Sequence, residues 1–205
     1  MNEAKKNLRQ AILGLRRLLG PDEVSRRSNA ALQNLYRSGL LPTRGTVALY
    51  AAADLEVLTE PLFQRLSRAG LKVALPRVRG KGPEIDFFAV TDWAGLVKSR
   101  FGIPEPPANG DPVALAELDF VLVPGIAFDA HGGRLGYGMG CYDRALKETR
   151  PEAPRVGIGY DFQLVEAVPK EAHDVLLTAV VIERETLLTG SGGAIKHKLK
   201  KGEQQ

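Results

Sequence analysis

The sequence has almost no cysteine. Of its 205 residues, only Cys141 is a cysteine. A single thiol cannot form an internal disulfide, and it leaves no cysteine cluster that could hold a structural zinc ion. This usage is typical of a reducing compartment, and we therefore expect a cytoplasmic protein.

Long apolar runs are missing as well. The opening residues, Met1-Asn2-Glu3-Ala4-Lys5-Lys6, are polar. No later run approaches the roughly 20 apolar residues that a membrane-spanning helix needs. We expect a protein that is neither exported nor inserted into a membrane.

Aromatic residues and excess charge are also scarce. Aromatics make up 6% of the chain and the formal net charge is +4, much of it from Lys196, Lys198, Lys200 and Lys201. A nucleic-acid-binding face usually combines a broad basic surface with interleaved aromatics. We expect no nucleic-acid partner, whereas a small phosphate-bearing ligand would need only a few well-placed cations.

The hydrophobic pattern predicts one α/β domain. Apolar residues at helical spacing indicate one helix from about residue 2 to 19 and a second from about 22. Short β-branched runs then alternate with helical stretches near 60–69 and 142–148. The runs lie at 46–50, 71–75, 120–123, 155–158 and 179–182. This alternation predicts a three-layer, mostly parallel sheet flanked by helices, with ligands at the carboxyl ends of its strands.

Two segments between these elements are less regular. Residues 87–90 are expected to form an edge or hairpin strand, and the Pro-rich residues 104–107 an extended loop. We assign residues 1–189 to a single domain. Residues 190–205, which begin Gly-Ser-Gly-Gly and continue with lysines, are expected to be a disordered basic tail.

A glycine-rich loop follows the run at 120–123. Gly136, Gly138 and Gly140 free the backbone to turn several N–H groups toward one point, and Arg134 offers a fork of charged donors. The N-terminus of the next helix would add its dipole. This combination favours a polyphosphate ligand. The pattern is neither a Walker loop nor a dinucleotide fingerprint, so a tight turn without a ligand is the open alternative.

The run Arg134-Leu-Gly-Tyr-Gly-Met-Gly-Cys-Tyr-Asp-Arg144 resembles the signature of the 5-formyltetrahydrofolate cyclo-ligase family, also called methenyltetrahydrofolate synthetases. Further landmarks of that family occur in the same order from residue 5 to about residue 183. They are Lys5 with Arg9, Glu56-Val57 with Thr59, Phe101-Gly-Ile-Pro104, Val123-Pro-Gly-Ile-Ala-Phe-Asp129, Tyr160-Asp-Phe-Gln163 and His173-Asp174. The resemblance implies a NagB/RpiA/CoA transferase-like fold.

The resemblance also implies an enzyme that uses ATP and Mg²⁺ to cyclise 5-formyltetrahydrofolate to 5,10-methenyltetrahydrofolate. It assigns Arg134 and Tyr142 to catalysis, and Asp143 and Asp174 to the metal. Ala51, Glu56 and Phe101 would contact the folate. ATP would be bound by Lys5, Arg9, Arg134, Leu135, Gly136, Tyr137, Gly138, Met139, Gly140, Cys141 and Tyr142.

Each cation and acid also has a simpler interpretation. Lys5 and Arg9 would otherwise be solvated surface charges on one helix face. Asp143 would be a carboxylate at a helix start, and Asp174 a turn residue. Glu56 would be an exposed acid at the end of a strand.

The remaining candidates are weighed in the same way. Phe101 would otherwise be a buried core residue. His131 is expected to be exposed, whereas His173 could orient Asp174. Cys141, where relatives usually carry an aromatic, is expected to pack rather than react.

Leu58 is the other departure from the family pattern, which commonly has an acid or polar residue there. Two other functions stay open: a non-catalytic folate- or nucleotide-binding protein, and a sugar-phosphate isomerase or acyl-CoA transferase. The latter would need a general base or nucleophile for which the sequence offers no convincing candidate. We expect a monomer.

Overall fold

The structure, a computed structural model, describes residues 3–80, 82–189 and 195–196. Its α-helices are α1 (Glu3–Arg16), α2 (Pro21–Arg37), α3 (Glu60–Arg68) and α4 (Cys141–Ala145). Three 3-10 helices lie at Trp93–Gly95, Leu115–Glu117 and Asp161–Gln163. Among the described residues, no helix has the length and apolar character that crossing a membrane requires.

The strands follow the predicted runs closely, and several further short strands lie between them. They are β1 (Thr46–Ala48), β2 (Lys72–Val78), β3 (Ile85–Ala89), β4 (Val97–Lys98), β5 (Pro104–Glu105), β6 (Asp111–Val113), β7 (Leu118–Val123), β8 (Ala127–Asp129), β9 (Arg134–Leu135), β10 (Arg155–Ile158), β11 (Leu164–Val165), β12 (Ala179–Val181), β13 (Thr186–Leu188) and β14 (Ile195–Lys196). Part of the Pro-rich loop is thus a short strand, β5, which pairs with β4.

Nine strands form a central mixed sheet in the order β14-β13-β12-β10-β7-β1-β2-β3-β6. The five strands from β12 to β2 are parallel, whereas β13 and β14 on one side and β3 and β6 on the other pair antiparallel. The α/β class is confirmed, but the expectation of a mostly parallel sheet holds only for the centre. Short turns after β2 and β12 leave no room for the crossover that a parallel neighbour requires.

A hydrophobic core lies on each face of the sheet. This agrees with the central strands being continuous apolar runs, because such strands are buried on both faces. Val47 and Leu49 face a core that α2 and α3 cover, with Leu32 and Leu62 fully buried there. Ala48 faces a second core together with Ala74 and Val121 of the adjacent strands. Phe128 and Leu146, the residue after α4, close this core. The outer layer on this second face contains little helix.

The first helix packs beside the carboxyl edge of the parallel strands. Ile12 of α1 is buried against Ile126, Leu135 and Val168. Leu8, one turn earlier on the same helix face, packs on this cluster. This contact holds α1 against the small sheet β11-β8-β9, from which the glycine-rich loop leaves.

The end of the chain is described only in part. Ile195 and Lys196 form β14, which pairs with β13, so these two residues differ from the expected disordered tail. Residues 190–194 and 197–205 lie outside the described residues, and the prediction stays untested for them.

Candidate active site

The glycine-rich loop, residues 136–140, connects β9 to α4. Gly138 has φ +103° and Gly140 φ +68°, backbone conformations that favour glycine over other residues. α4 has only five residues, so the expected helix dipole is weak here. Any attraction for an anion must therefore come mainly from loop amides and nearby cations.

Arg9 of α1 contacts this loop. Its Nε donates a 3.0 Å hydrogen bond to the carbonyl oxygen of Gly136. A Cβ placed on Gly138 would lie 3.5 Å from the Nη2 atom of Arg9, so the guanidinium passes close to the middle of the loop. The packing of Ile12 fixes this approach from one turn further along α1.

Lys5, one helical turn before Arg9, lies beside Asp174. Its Nζ is 3.0 Å from Oδ2 of Asp174 and 3.5 Å from Oε2 of Glu171. Burial acts to raise the pKa of Asp174, but the backbone N–H of Glu171 and the ammonium of Lys5 outweigh it and lower that pKa. Asp174 is therefore ionised at neutral pH.

Arg134 and Asp143 form an ion pair at the start of α4. Nη2 of Arg134 donates to Oδ2 of Asp143 over 2.8 Å, and Oδ1 of Asp143 accepts a 3.2 Å bond from the backbone N–H of Val175. The second bond ties Asp143 to the residue after Asp174. The side chain of Arg134 is 6% exposed, and its Nε has no hydrogen-bond partner among the described residues.

Tyr142 lies under Arg134, whose guanidinium carbon is 5.8 Å from the ring centre. The Tyr142 hydroxyl is buried and has no hydrogen-bond partner in the described part of the chain. Burial, and after it the carboxylate of Glu56, raise the pKa of this phenol, so it stays protonated. A buried donor without a partner is available to an incoming acceptor.

Glu56 lies in the loop after β1 and is 8% exposed, which contradicts the interpretation of an exposed acid. Its Oε2 accepts a 3.1 Å bond from the backbone N–H of Ala53. Burial raises the pKa of Glu56 to about 7, although that bond and the charge of Arg16 act to lower it. The acid is thus poised to change its charge near neutral pH.

Sequence reasoning missed Arg16, the last residue of α1. It is 1% exposed, and its Nη2 contacts both Oδ2 of Asp54 at 2.7 Å and the hydroxyl of Tyr137 at 2.5 Å. Its Nη1 lies 4.0 Å from Oε1 of Glu56. No local signal marks it, since an arginine near the end of an amphipathic helix is usually solvated.

Comparisons with known proteins point to one family. A sequence profile of the 5-formyltetrahydrofolate cyclo-ligase family matches residues 1–183. The 5-formyltetrahydrofolate cyclo-ligase of Escherichia coli strain K12 is 35% identical over 173 residues, covering 81% of this chain and 93% of that protein. The enzyme of that name from Mycolicibacterium smegmatis is 32% identical over 191 residues, covering 90% of this chain and 96% of that protein.

The chain belongs to the 5-formyltetrahydrofolate cyclo-ligase family. Solved structures with related names have the same fold. The 5,10-methenyltetrahydrofolate synthetase of Aquifex aeolicus gives a TM-score of 0.80 at 34% identity, covering 97% of this chain and 99% of that one. The synthetase of Mycoplasma pneumoniae gives 0.72 at 25% identity, with 87% and 98% covered.

The other residues that the resemblance assigns to the site differ in exposure. Leu135 and Ala51 are buried, whereas Tyr137 and Met139 are 54% and 44% exposed. Cys141 is half-buried, and burial raises the pKa of its thiol, which agrees with a packing role rather than a reactive one.

Phe101 is not the buried core residue of the simpler interpretation. It is 52% exposed, and the guanidinium carbon of Arg100 lies 4.5 Å from its ring centre. It lines a cavity of about 360 Å³ with Arg77, Arg79 and Glu105. The lining of that cavity, as far as the described residues show, includes no residue of the glycine-rich loop.

The histidines agree with their expected places. His131 is exposed. Nε2 of His173 lies 3.4 Å from Oε2 of Glu171 and 3.6 Å from Oδ1 of Asp174, so it flanks this acid pair. Glu171 had not been predicted, although the acidic sequence Glu171-Ala-His173-Asp174 could have indicated it.

Proposed function

We propose that this chain converts 5-formyltetrahydrofolate and ATP to 5,10-methenyltetrahydrofolate, ADP and phosphate. The observation that carries the proposal is the hydrogen bond from Arg9 to the carbonyl of Gly136, in a chain that belongs to the cyclo-ligase family. It brings a cation of α1 to the glycine-rich loop. A tight turn without a ligand gives no reason for a cation to lie beside glycines with positive φ.

The triphosphate would lie along the glycine-rich loop between Arg9, Lys5 and Arg134. The loop supplies backbone N–H groups, and Gly138 and Gly140, whose positive φ favours glycine, have no side chain that would block a phosphate. Arg134 brings a guanidinium whose Nε is still unpaired among the described residues. Phosphoryl transfer asks mainly for positioning and for neutralisation of charge, and these groups supply both.

Mg²⁺ fits the acids beside Lys5 and Arg134, which are Asp174 and Asp143. The ion prefers hard oxygen ligands, usually one or two carboxylates together with phosphate oxygens and water. Asp174 is ionised and lies with Glu171 and His173 in a cluster whose potential ligand atoms are within 4.8 Å of one another. Asp143 is joined to this cluster through the N–H of Val175. Asp174 and Asp143 would hold the metal, which neutralises phosphate charge when bound.

The reaction needs no protein nucleophile. The formyl oxygen of the folate attacks the γ-phosphorus and ADP leaves, so the oxygen becomes part of a good leaving group. The secondary amine at position 10 of the folate then attacks the formyl carbon, loses its proton, and phosphate departs as the five-membered ring closes. Arg134 would stabilise charge on the transferring phosphoryl group, and the free hydroxyl of Tyr142 could donate to an oxygen there.

Glu56 would receive the pterin end of the folate. A carboxylate accepts paired hydrogen bonds from an amino group and a ring N–H, as the pterin presents them. Binding of these donors favours the ionised acid over the neutral one, which burial otherwise favours. Ala51 lies near the start of the loop after β1 that carries Glu56. The exposed Phe101 would stack on a part of the substrate further from Glu56.

Three wider statements belong to the same proposal. The proposed site takes all its residues from one chain, which suits a monomer. We also propose that the fold is of the NagB/RpiA/CoA transferase class, and the five parallel strands at the centre of the sheet support this. The single cysteine is typical of a cytoplasmic protein.

An absorbance assay tests the function. 5-Formyltetrahydrofolate is incubated with the protein, and the rise of the methenyl-folate band is followed while ADP is measured in parallel. We expect one ADP for each methenyl product, with no product when ATP or Mg²⁺ is withheld. Binding of both ligands without product would instead indicate a non-catalytic protein.

A further inference from the structure

Arg16 joins two parts of the proposed site that are far apart in the chain. Its Nη2 bonds to the hydroxyl of Tyr137, which lies between the first two glycines of the loop, and to Asp54, two residues before Glu56. The Tyr137 hydroxyl also donates to Oδ2 of Asp54 over 3.1 Å. The three groups form a closed set of contacts that connects the nucleotide loop with the turn that carries the folate acid.

That turn has an unusual backbone. Asp54 and Leu55 have φ of +47° and +60°, a left-handed conformation that residues with a Cβ adopt infrequently. Such conformations persist where surrounding contacts hold them, and they cluster at ligand sites. Here the carboxylate of Asp54 is held by Arg16, and the carboxylate of Glu56 caps the N–H of Ala53. Arg16 thus supports the conformation that presents Glu56.

Arg16 is also incompletely paired. It is 1% exposed, and neither its Nε nor its Nη1 has a hydrogen-bond partner among the described residues. Nη1 is 4.0 Å from Oε1 of Glu56, slightly too far for a hydrogen bond. A small shift of the turn would bring Nη1 of Arg16 within hydrogen-bond distance of Glu56 and so satisfy this buried donor.

We propose that Arg16 is a positioning residue that couples nucleotide binding at the glycine-rich loop to folate binding at Glu56. ATP fixes the loop and with it Tyr137, Tyr137 holds Arg16, and Arg16 holds the turn 54–56 in the conformation that receives the pterin. By linkage the folate must strengthen ATP binding by the same factor. This inference rests on the proposed function, because it takes the loop as the ATP site and Glu56 as the folate acid.

Calorimetric titration of 5-formyltetrahydrofolate tests the coupling. The titration is done with and without a saturating, non-hydrolysable imido analogue of ATP with Mg²⁺, and the ratio of the two dissociation constants is the readout. For the wild-type protein we expect the analogue to tighten folate binding at least about fivefold. In Tyr137→Phe, which removes one exposed hydroxyl, and in Arg16→Lys, which keeps the charge but not the fork, the ratio should fall below about twofold.

Arg17→Ala is the matched control. Arg17 is the next residue, it is exposed, and its charge acts on Asp54 without a hydrogen bond to it. It should keep the wild-type ratio. Thermal unfolding of each variant separates a loss of coupling from a loss of fold, and Tyr137→Phe decides the matter should Arg16→Lys be unstable.

The outcomes separate the inference from the proposed function. Two results would overturn the coupling and leave the function intact, provided that the wild-type protein forms methenyl product. One is a ratio of dissociation constants near one for the wild-type protein, and the other is a ratio for Tyr137→Phe equal to that of the wild-type protein. A loss in Arg17→Ala as large as that in Arg16→Lys also overturns it, since the coupling would then not depend on the contacts that Arg16 makes with Tyr137 and Asp54. If the wild-type protein forms no methenyl product, the proposed function fails and the inference fails with it.

Discussion

The Nζ atom of Lys5 lies 3.0 Å from Oδ2 of Asp174, although 169 positions separate the two residues in the chain. Both side chains are largely buried, at 12% and 16% exposure. In the proposed complex the ammonium of Lys5 would also contact the phosphates, and the carboxylate of Asp174 would also contact the metal. The pair therefore marks the point where nucleotide and metal would meet.

Replacement of Lys5 should weaken ATP binding specifically. Hydrogen bonds to charged groups contribute about 1.5–3 kcal/mol, so we expect Lys5→Ala to raise the KM for ATP by roughly tenfold or more. Steady-state kinetics at saturating folate measure this. Lys6→Ala, which removes an exposed neighbouring lysine, is the control and should leave the KM close to that of the wild-type protein. Equal KM values for the two variants would show that Lys5 does not bind ATP.

Arg134 and Asp143 should be needed for turnover rather than for the fold. We expect Arg134→Ala, and separately Asp143→Asn, to lower ATP-dependent turnover by about two orders of magnitude or more. The first change removes a cation at the transferring phosphate, and the second removes a proposed ligand of the metal that would neutralise phosphate charge. Circular dichroism should show an intact fold. Lys147→Ala, an exposed change just beyond α4, should be silent. Near-normal turnover in either site variant would refute its assigned role.

Glu56 should make stability depend on pH. Burial raises its pKa from 4.5 to about 7, so between these values the folded protein binds a proton that the unfolded chain has lost. Stability then falls as the pH rises through this window, by on the order of 3 kcal/mol, and Glu56→Gln escapes that loss. The groups whose charges act with it are Arg16, Asp54 and the phenols of Tyr50, Tyr137, Tyr142 and Tyr160.

Urea unfolding at pH 4.5, 6 and 8 measures this difference. The free energy of unfolding of Glu56→Gln, measured relative to that of the wild-type protein, should rise from pH 4.5 to pH 8. Glu60→Gln, which changes an exposed acid four residues later, should track the wild-type protein. Parallel curves for Glu56→Gln and the wild-type protein would mean that Glu56 is not held neutral by burial.

Gly138→Ala should damage the nucleotide site. The backbone at Gly138 has φ +103°, where a side chain is strained, and the new methyl would approach Arg9. We expect the KM for ATP to rise more than tenfold. The control is Gly14→Ala in α1, where a Cβ has open space and alanine should stabilise the helix by about 0.5–1 kcal/mol without affecting ATP. A similar KM in both variants would dissociate the loop backbone from ATP binding.

Local patterns predicted most of the regular structure. Residues 155–158 coincide with β10, and the strands at 46–50 and 71–75 overlap β1 and β2, because β-branched runs between turns are a local signal. The antiparallel strands at the edges of the sheet were harder to predict from the sequence. The turn between β12 and β13, Ile182-Glu-Arg-Glu185, contains neither glycine nor proline, so nothing in it indicates a hairpin.

The site was predictable where a motif specifies it and not where distant segments meet. The glycine-rich loop, Arg9, Lys5 and the two aspartates follow from the resemblance. The role of Arg16 does not, because its burial depends on the approach of Asp54 and Tyr137, which lie 38 and 121 positions away. The left-handed backbone at Asp54 and Leu55 gives no sequence signal either, since neither residue is a glycine.

The central claim is that the backbone amides of the glycine-rich loop bind the nucleotide phosphates. The most direct test is nuclear magnetic resonance of uniformly ¹⁵N-labelled protein during titration with the imido analogue of ATP and Mg²⁺. The amide signals of Gly136, Gly138 and Gly140 should move far more than those of Gly39 and Gly70, which like Gly138 and Gly140 have positive φ but lie in turns on other parts of the chain. Loop signals that move no more than those two control glycines would contradict it.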